Sequence, residues 1–108
     1  MKLIVAIVQD QDAISLIDDL TDMDYRVTKL ASTGGFLKSG NTTLLIGVED
    51  EEVEEVISIV DRNCKTREVT TSLLNMTMPG ETYIPYPLEV KVGGATLFIL
   101  DVEQYIRI

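Results

Sequence analysis

Leu3-Ile4-Val5-Ala6-Ile7-Val8 is apolar at every position, and Gln9-Asp10-Gln11-Asp12 follows at once. An unbroken apolar run of this length is the pattern of a strand covered on both faces; a strand half in water alternates. Asp10 and Asp12 are N-cap candidates for a following helix, in which Ile14, Ile17, Leu20 and Met23 recur at helical spacing. Downstream, Tyr25 to Leu30 sets Tyr25, Val27 and Lys29 against Arg26, Thr28 and Leu30, a strand pattern. A turn-rich stretch from Ser32 to Asn41 leads into the β-branched, apolar run Thr42 to Val48.

Glu49 to Glu52 place carboxylates where the positive end of a helix dipole favours them. Val53, Val56, Ile57, Val60 and Cys64 form that helix's apolar stripe, with Glu51, Glu52, Glu54 and Glu55 solvated on the other side. Arg67 to Thr71 reads as a short edge strand. Leu73 to Pro87 contains Pro79-Gly80 and Ile84-Pro85-Tyr86-Pro87, whose prolines block regular pairing, so a long loop is expected there. Leu88–Val92 and Ala95–Leu100 flank Gly93-Gly94, the pattern of a hairpin. Strand, helix, strand, strand, helix, strand, with a terminal strand added, is the split βαβ order (βαββαβ) of a ferredoxin-like α+β domain. It predicts one domain over residues 1–108, an antiparallel sheet with two helices on one face.

Two helices cover only one face of such a sheet, yet Leu3–Val8, Leu44–Val48 and Ala95–Leu100 are apolar on both. At roughly 25 cal/mol per Å² of apolar surface, a wet second face costs many kcal/mol. Sheets packed against sheets in a closed ring of identical chains remove that cost, so self-association is expected.

Composition narrows the function. No apolar run is long enough for a signal peptide or a membrane span. The single Cys64 makes no internal disulfide, which suits a reducing, cytoplasmic setting. A chain without His offers neither a zinc site nor a Cys–His nucleophile, so no metal site and no catalytic residue are expected. The net charge of −9 argues against polymeric nucleic acid as a partner. From Tyr25 to Gly47 there are three basic residues, Arg26, Lys29 and Lys38, and no carboxylate. The other 85 residues hold 6 basic and 18 acidic groups, a net of −12. Such a window is either a place where an anion is not repelled or a chance gap in a short chain.

Gly35-Phe36-Leu37-Lys38-Ser39-Gly40-Asn41-Thr42 comes close to the phosphate loop G-x-x-x-x-G-K-[ST]. Asn41 stands in place of the lysine, and the segment opens a strand instead of a helix, which excludes a nucleotide-hydrolysing P-loop. Glycines that expose N–H groups, hydroxyls, nearby cations and the aromatic Phe36 remain, and the Asn41 amide carries the donor and acceptor that read an adenine edge. On these grounds the segment is either an adenine-nucleotide site or a plain turn with Phe36 tucked into the core.

Residues 31–43, Ala31-Ser32-Thr33-Gly34-Gly35-Phe36-Leu37-Lys38-Ser39-Gly40-Asn41-Thr42-Thr43, resemble the signature of the PII-like cyclic di-AMP receptors of Gram-positive bacteria. Val5–Asp10, Tyr83–Pro87 and Val92–Thr96 agree with it in the same order. The resemblance implies a PII-like homotrimer, a signalling receptor without catalytic activity or cofactor. It would bind cyclic di-AMP in each cleft between subunits and rearrange loops 32–41 and 72–87, to be read by an unknown downstream protein. It also implies a set of ligand contacts. Arg26 and Thr28 would sit beside the ligand, and Gly35, Phe36 and Leu37 would meet phosphate and ribose. Asn41 and the Gly47 backbone would recognise one adenine, and Phe98 would line the pocket. The chain departs from the family's common pattern at Val27, at Leu44, over 75–81 and in the tail 105–108. The alternatives are a PII-type sensor of ATP or AMP and a ligand-free oligomeric scaffold. An enzyme is disfavoured because the carboxylates cluster on the helices, away from the Gly-rich segment.

Overall fold

The computed structural model describes residues 1–30, 40–72 and 87–108. The expectations for Gly35, Phe36 and Leu37, and for the loop after residue 72, lie outside them. The elements run β1 (Lys2–Gln9), α1 (Asp10–Asp22), β2 (Val27–Leu30), β3 (Asn41–Val48), a 3-10 turn (Asp50–Glu52) and α2 (Val53–Cys64). They continue with β4 (Arg67–Ser72), β5 (Pro87–Val92) and β6 (Ala95–Asp101). Four strands form an antiparallel sheet in the order β2-β3-β1-β6. With α1 and α2 this is the expected ferredoxin-like α+β arrangement.

Alternation along β1 and β3 sorts the core. Ile4, Ala6 and Val8, with Leu44, Ile46 and Val48, are buried in one cluster with Ala13, Leu16 and Leu20 of α1 and Val56, Ile59 and Val60 of α2. The register places the opposite set in rows: Leu100–Leu3–Gly47, Phe98–Val5–Leu45–Thr28 and Thr96–Ile7–Thr43. On that face Leu3, Val5, Ile7 and Leu45 are half-buried, while Phe98 and Leu100 are 51% and 49% exposed. The helices cover one face of the sheet and leave an apolar one, as the double-faced runs require.

Four local expectations are corrected. Gln9 occupies the N-cap of α1 without a side-chain bond to the helix's first turn, and neither aspartate caps it. Asp10 accepts a hydrogen bond from the Thr42 hydroxyl, and buried Asp12 pairs with Arg67 Nη2 at 2.7 Å. Second, the buried stripe of α1 is Ala13, Leu16 and Leu20 with Ile17 at its margin, while Ile14 and Met23 are exposed. Third, α2 buries Ile59 more deeply than the expected Ile57. Fourth, Gly93-Gly94 does not close a hairpin. β5 pairs with β4 in a separate two-stranded ribbon, and β6 pairs with β1. Local alternation announces strands but does not say which strand each one meets.

α1 ends in a Schellman motif. The Tyr25 N–H bonds the Leu20 carbonyl and Asp24 N–H the Thr21 carbonyl, with Asp24 at φ 66° in the position usually held by Gly. The turn delivers Tyr25 to the core edge, where its hydroxyl donates to Glu55 Oε1 at 2.8 Å. Burial, then this bond, pushes the Tyr25 phenol up to about 12. A raised pKa means the native state favours the neutral phenol. That contribution is whole below about pH 10, the ordinary tyrosine value, and is lost as pH rises toward 12. Thermal unfolding followed from pH 9 to 12 is expected to show a steeper fall for the wild type than for Tyr25→Phe.

Candidate functional site

The β2–β3 register, Val27 opposite Ile46 and Thr28 opposite Leu45, carries Arg26 to the Gly47 end of β3. Arg26, Thr28 and Gly47 line one pocket of ≈ 410 Å³ with Leu3 and Leu45 from the uncovered face. Val102 and Tyr105 from the segment after β6 line it too. Gly47 keeps it open: a Cβ built there meets no atom within 4 Å. Among the described residues Arg26 forms no ion pair. The pocket therefore offers one guanidinium, the Thr28 and Tyr105 hydroxyls, backbone groups and an apolar floor, a lining suited to a small anionic ligand with a planar apolar part.

Asn41 lies elsewhere. It begins β3 and lines a second, polar pocket of ≈ 340 Å³ with Ile7, Gln9, Gly93, Gly94 and Thr96. Gly47 lies six positions further along the strand, about 20 Å at roughly 3.3 Å per residue. One adenine cannot reach both from a single chain. Phe98 stands on the same uncovered face two strands from Leu45, exposed, and lines neither pocket. The structure thus joins Arg26, Thr28 and Gly47, and separates Asn41 and Phe98 from them.

Gly40, just before Asn41, is held to the body, since its carbonyl accepts from Asp10 N–H at 3.1 Å. On the other side of the second pocket, Gln9 Oε1 accepts from Gly93 N–H at 2.8 Å, and Gly94 N–H bonds the Cys64 carbonyl. These bonds fasten the base of the β4–β5 ribbon to β1 and α2 beside Asn41.

A third pocket of ≈ 400 Å³ lies between α2 and β6, lined by Ile57, Val60, Cys64 and Leu97 among others, and holds no expected ligand contact. Burial pushes the Cys64 thiol up to about 11, with Asp12 adding to the shift, so it is protonated at neutral pH. Among the described residues no cluster of three or more His, Cys, Asp or Glu is placed to hold a metal ion. No described helix is long and apolar enough to cross a membrane. Sequence reasoning met Tyr105 only as part of a tail that departs from the family's pattern and gave it no role; its position after β6 brings it to the pocket of Arg26.

The chain has relatives. The chain is similar to a protein of unknown function from Pediococcus pentosaceus, known as a crystal structure. The two are 46% identical, over 99% of this chain and 96% of that one, with a TM-score of 0.79. The family model described as cyclic-di-AMP receptor matches residues 1–108, every position of the sequence. A full-length match of that kind, on a sheet that sets Arg26, Thr28 and Gly47 around one opening, places the chain in the cyclic di-AMP receptor family.

Proposed function

We propose that the protein is a non-enzymatic, cytoplasmic signalling receptor that binds cyclic di-AMP in the clefts between the subunits of a homotrimer. The observation that carries the reading is the division of the site. Arg26, Thr28 and Gly47 line one pocket and Asn41 another, at opposite ends of β3 on a sheet whose outer face is apolar and uncovered. Packing that face against a neighbour brings one copy's pocket toward another copy's Asn41. An adenine recognised by both Asn41 and the Gly47 backbone then takes them from different chains. Phe98 lines the same cleft.

The chemistry of the ligand matches the charge pattern. Two phosphodiesters meet the carboxylate-free window Tyr25–Gly47, where Arg26 and the backbone N–H groups of Gly35, Phe36 and Leu37 supply charge-assisted bonds. A triphosphate asks for more cations than this window holds. Ligand binding is relayed by rearrangement of loops 32–41 and 72–87, which a downstream protein reads.

Titration calorimetry with cyclic di-AMP, ATP, AMP and cyclic di-GMP tests this directly. Micromolar or tighter binding of cyclic di-AMP, one per subunit, is expected. Heat with ATP and none with cyclic di-AMP would favour the adenylate sensor instead. Asn41→Ala is expected to weaken cyclic di-AMP by about 1–3 kcal/mol, because an adenine edge is left unpaired in the cleft. Unchanged affinity in the folded variant removes Asn41 from the site.

A further inference from the structure

We infer that Tyr105 is a stacking contact for one adenine of the ligand, in the pocket it shares with Arg26, Thr28 and Gly47; this rests on the cyclic di-AMP reading above. The segment that carries it is placed by its root. β6 pairs with β1 as far as Asp101, whose carboxylate bonds Lys2, and the Val102 N–H then bonds the Met1 carbonyl at 3.2 Å. Three residues later Tyr105 reaches the pocket wall while remaining 59% exposed. It is not part of the core cluster, so core packing does not account for its position.

The other walls complete a slot for a planar ring. Gly47 presents backbone without a side chain, and nothing lies within 4 Å of the place a Cβ would take. Leu3 and Leu45 make the floor apolar, Thr28 adds a hydroxyl, and Arg26 brings the positive charge for a neighbouring phosphate. A volume of ≈ 410 Å³ is near the low end of small-ligand sites and suits one base with its ribose, not a polymer. An aromatic ring, a flat backbone surface and a cation at one opening are the materials with which proteins hold a base by its face, a contact indifferent to the tyrosine hydroxyl. Tyr105 thus contributes affinity for the base, while the edge-reading groups decide which base.

Calorimetry with cyclic di-AMP on the full chain, with Tyr105→Ala, Tyr105→Phe and Tyr105→Trp, separates the possibilities. Tyr105→Ala is expected to weaken binding by about 5- to 150-fold, the range of one lost base stack. Tyr105→Phe is expected to bind like the wild type. The chain has no Trp, so Tyr105→Trp installs a single reporter whose emission is expected to be quenched as cyclic di-AMP is added. Unchanged affinity in Tyr105→Ala, or unaltered emission from Tyr105→Trp while calorimetry shows binding, overturns the assignment and leaves the ligand reading standing. So does a binding loss in Tyr105→Ala accompanied by a changed oligomer in sedimentation, since Tyr105 would then act through subunit packing. A wild-type chain with no affinity for cyclic di-AMP sinks the ligand reading itself.

Discussion

Val5→Asp is expected to yield a folded monomer that no longer binds cyclic di-AMP. Val5 lies mid-strand in β1, between Leu45 and Phe98 in the central row of the uncovered face. In an isolated chain an aspartate there reaches water, and the helix-covered core of Ile4, Ala6 and Leu44 is untouched. In a ring of sheets each copy buries a carboxylate without a partner. Desolvation alone costs several kcal/mol per ion, and like charges brought close around the axis repel each other further. Little of an interface survives that. Sedimentation velocity at micromolar concentration reads the assembly, far-ultraviolet circular dichroism the fold, and calorimetry the loss of the proposed two-chain site. A variant that sediments with the wild type, or a wild type that is already monomeric, removes the oligomer from the proposal.

Gly93→Ala is the second large effect expected. Gly93 has φ 87°, a region L side chains rarely adopt, and strain of this kind costs roughly 1–3 kcal/mol. Its added Cβ falls 2.6 Å from the Lys65 carbonyl oxygen, 2.7 Å from Arg67 Nη1 and 3.0 Å from the Cys64 carbonyl oxygen. Two of these are backbone atoms at the end of α2, so β5 must move. Moving it pulls the Gly93 N–H from Gln9 and displaces Arg67, the partner of buried Asp12. A total of about 3 kcal/mol lowers the melting temperature by roughly 10–20 °C for a domain of this size. Gly94→Ala is the control. It carries similar strain at φ 91°, but its Cβ meets only the Thr66 hydroxyl at 3.1 Å, a side chain that can turn away. Calorimetric melting is expected to rank Gly93→Ala well below Gly94→Ala, and the reverse order refutes the steric account.

The same glycines mark where sequence reading succeeds and fails. The six strand and helix segments of the sheet-forming body were legible because each carries its own period. The apolar run at Leu3–Val8 even announced the uncovered face. What each strand pairs with was not legible at Gly93-Gly94, where two β-rich runs flanking a glycine pair suggest a hairpin. Whether β6 folds back on β5 or runs on to β1 depends on β1, more than 80 residues earlier. Asp12 failed for a similar reason. Its place at a helix start suggested a cap, and its partner Arg67, 55 residues on, is brought close only by the complete fold. For α1, Ile14 and Met23 fit the helical spacing, but a four-residue frame shifted by one position buries Ala13 and Leu16 in their stead.

For the candidate site, Arg26, Thr28 and Gly47 were named from a motif resemblance, and strand register then gathers them at one opening. Their separation from Asn41 follows from strand rise and was available to arithmetic. Tyr105 was not, because its place depends on a backbone bond from Val102 to Met1.

The β4–β5 ribbon belongs to a different energetic unit from the sheet it leaves. Among the described residues its strands bond one another and no strand of the larger sheet, and its attachments gather at Arg67, Gly93 and Gly94. A two-stranded ribbon is marginal by itself, so the ribbon as described is expected to open at lower cost than the core. Substitutions within it are then filtered by solubility and by whatever surface docks there, while those in β1, β3 and the helices are filtered by global stability. Two rates of sequence change are expected to coexist in one short chain, with the boundary falling at the residue pair Gly93-Gly94.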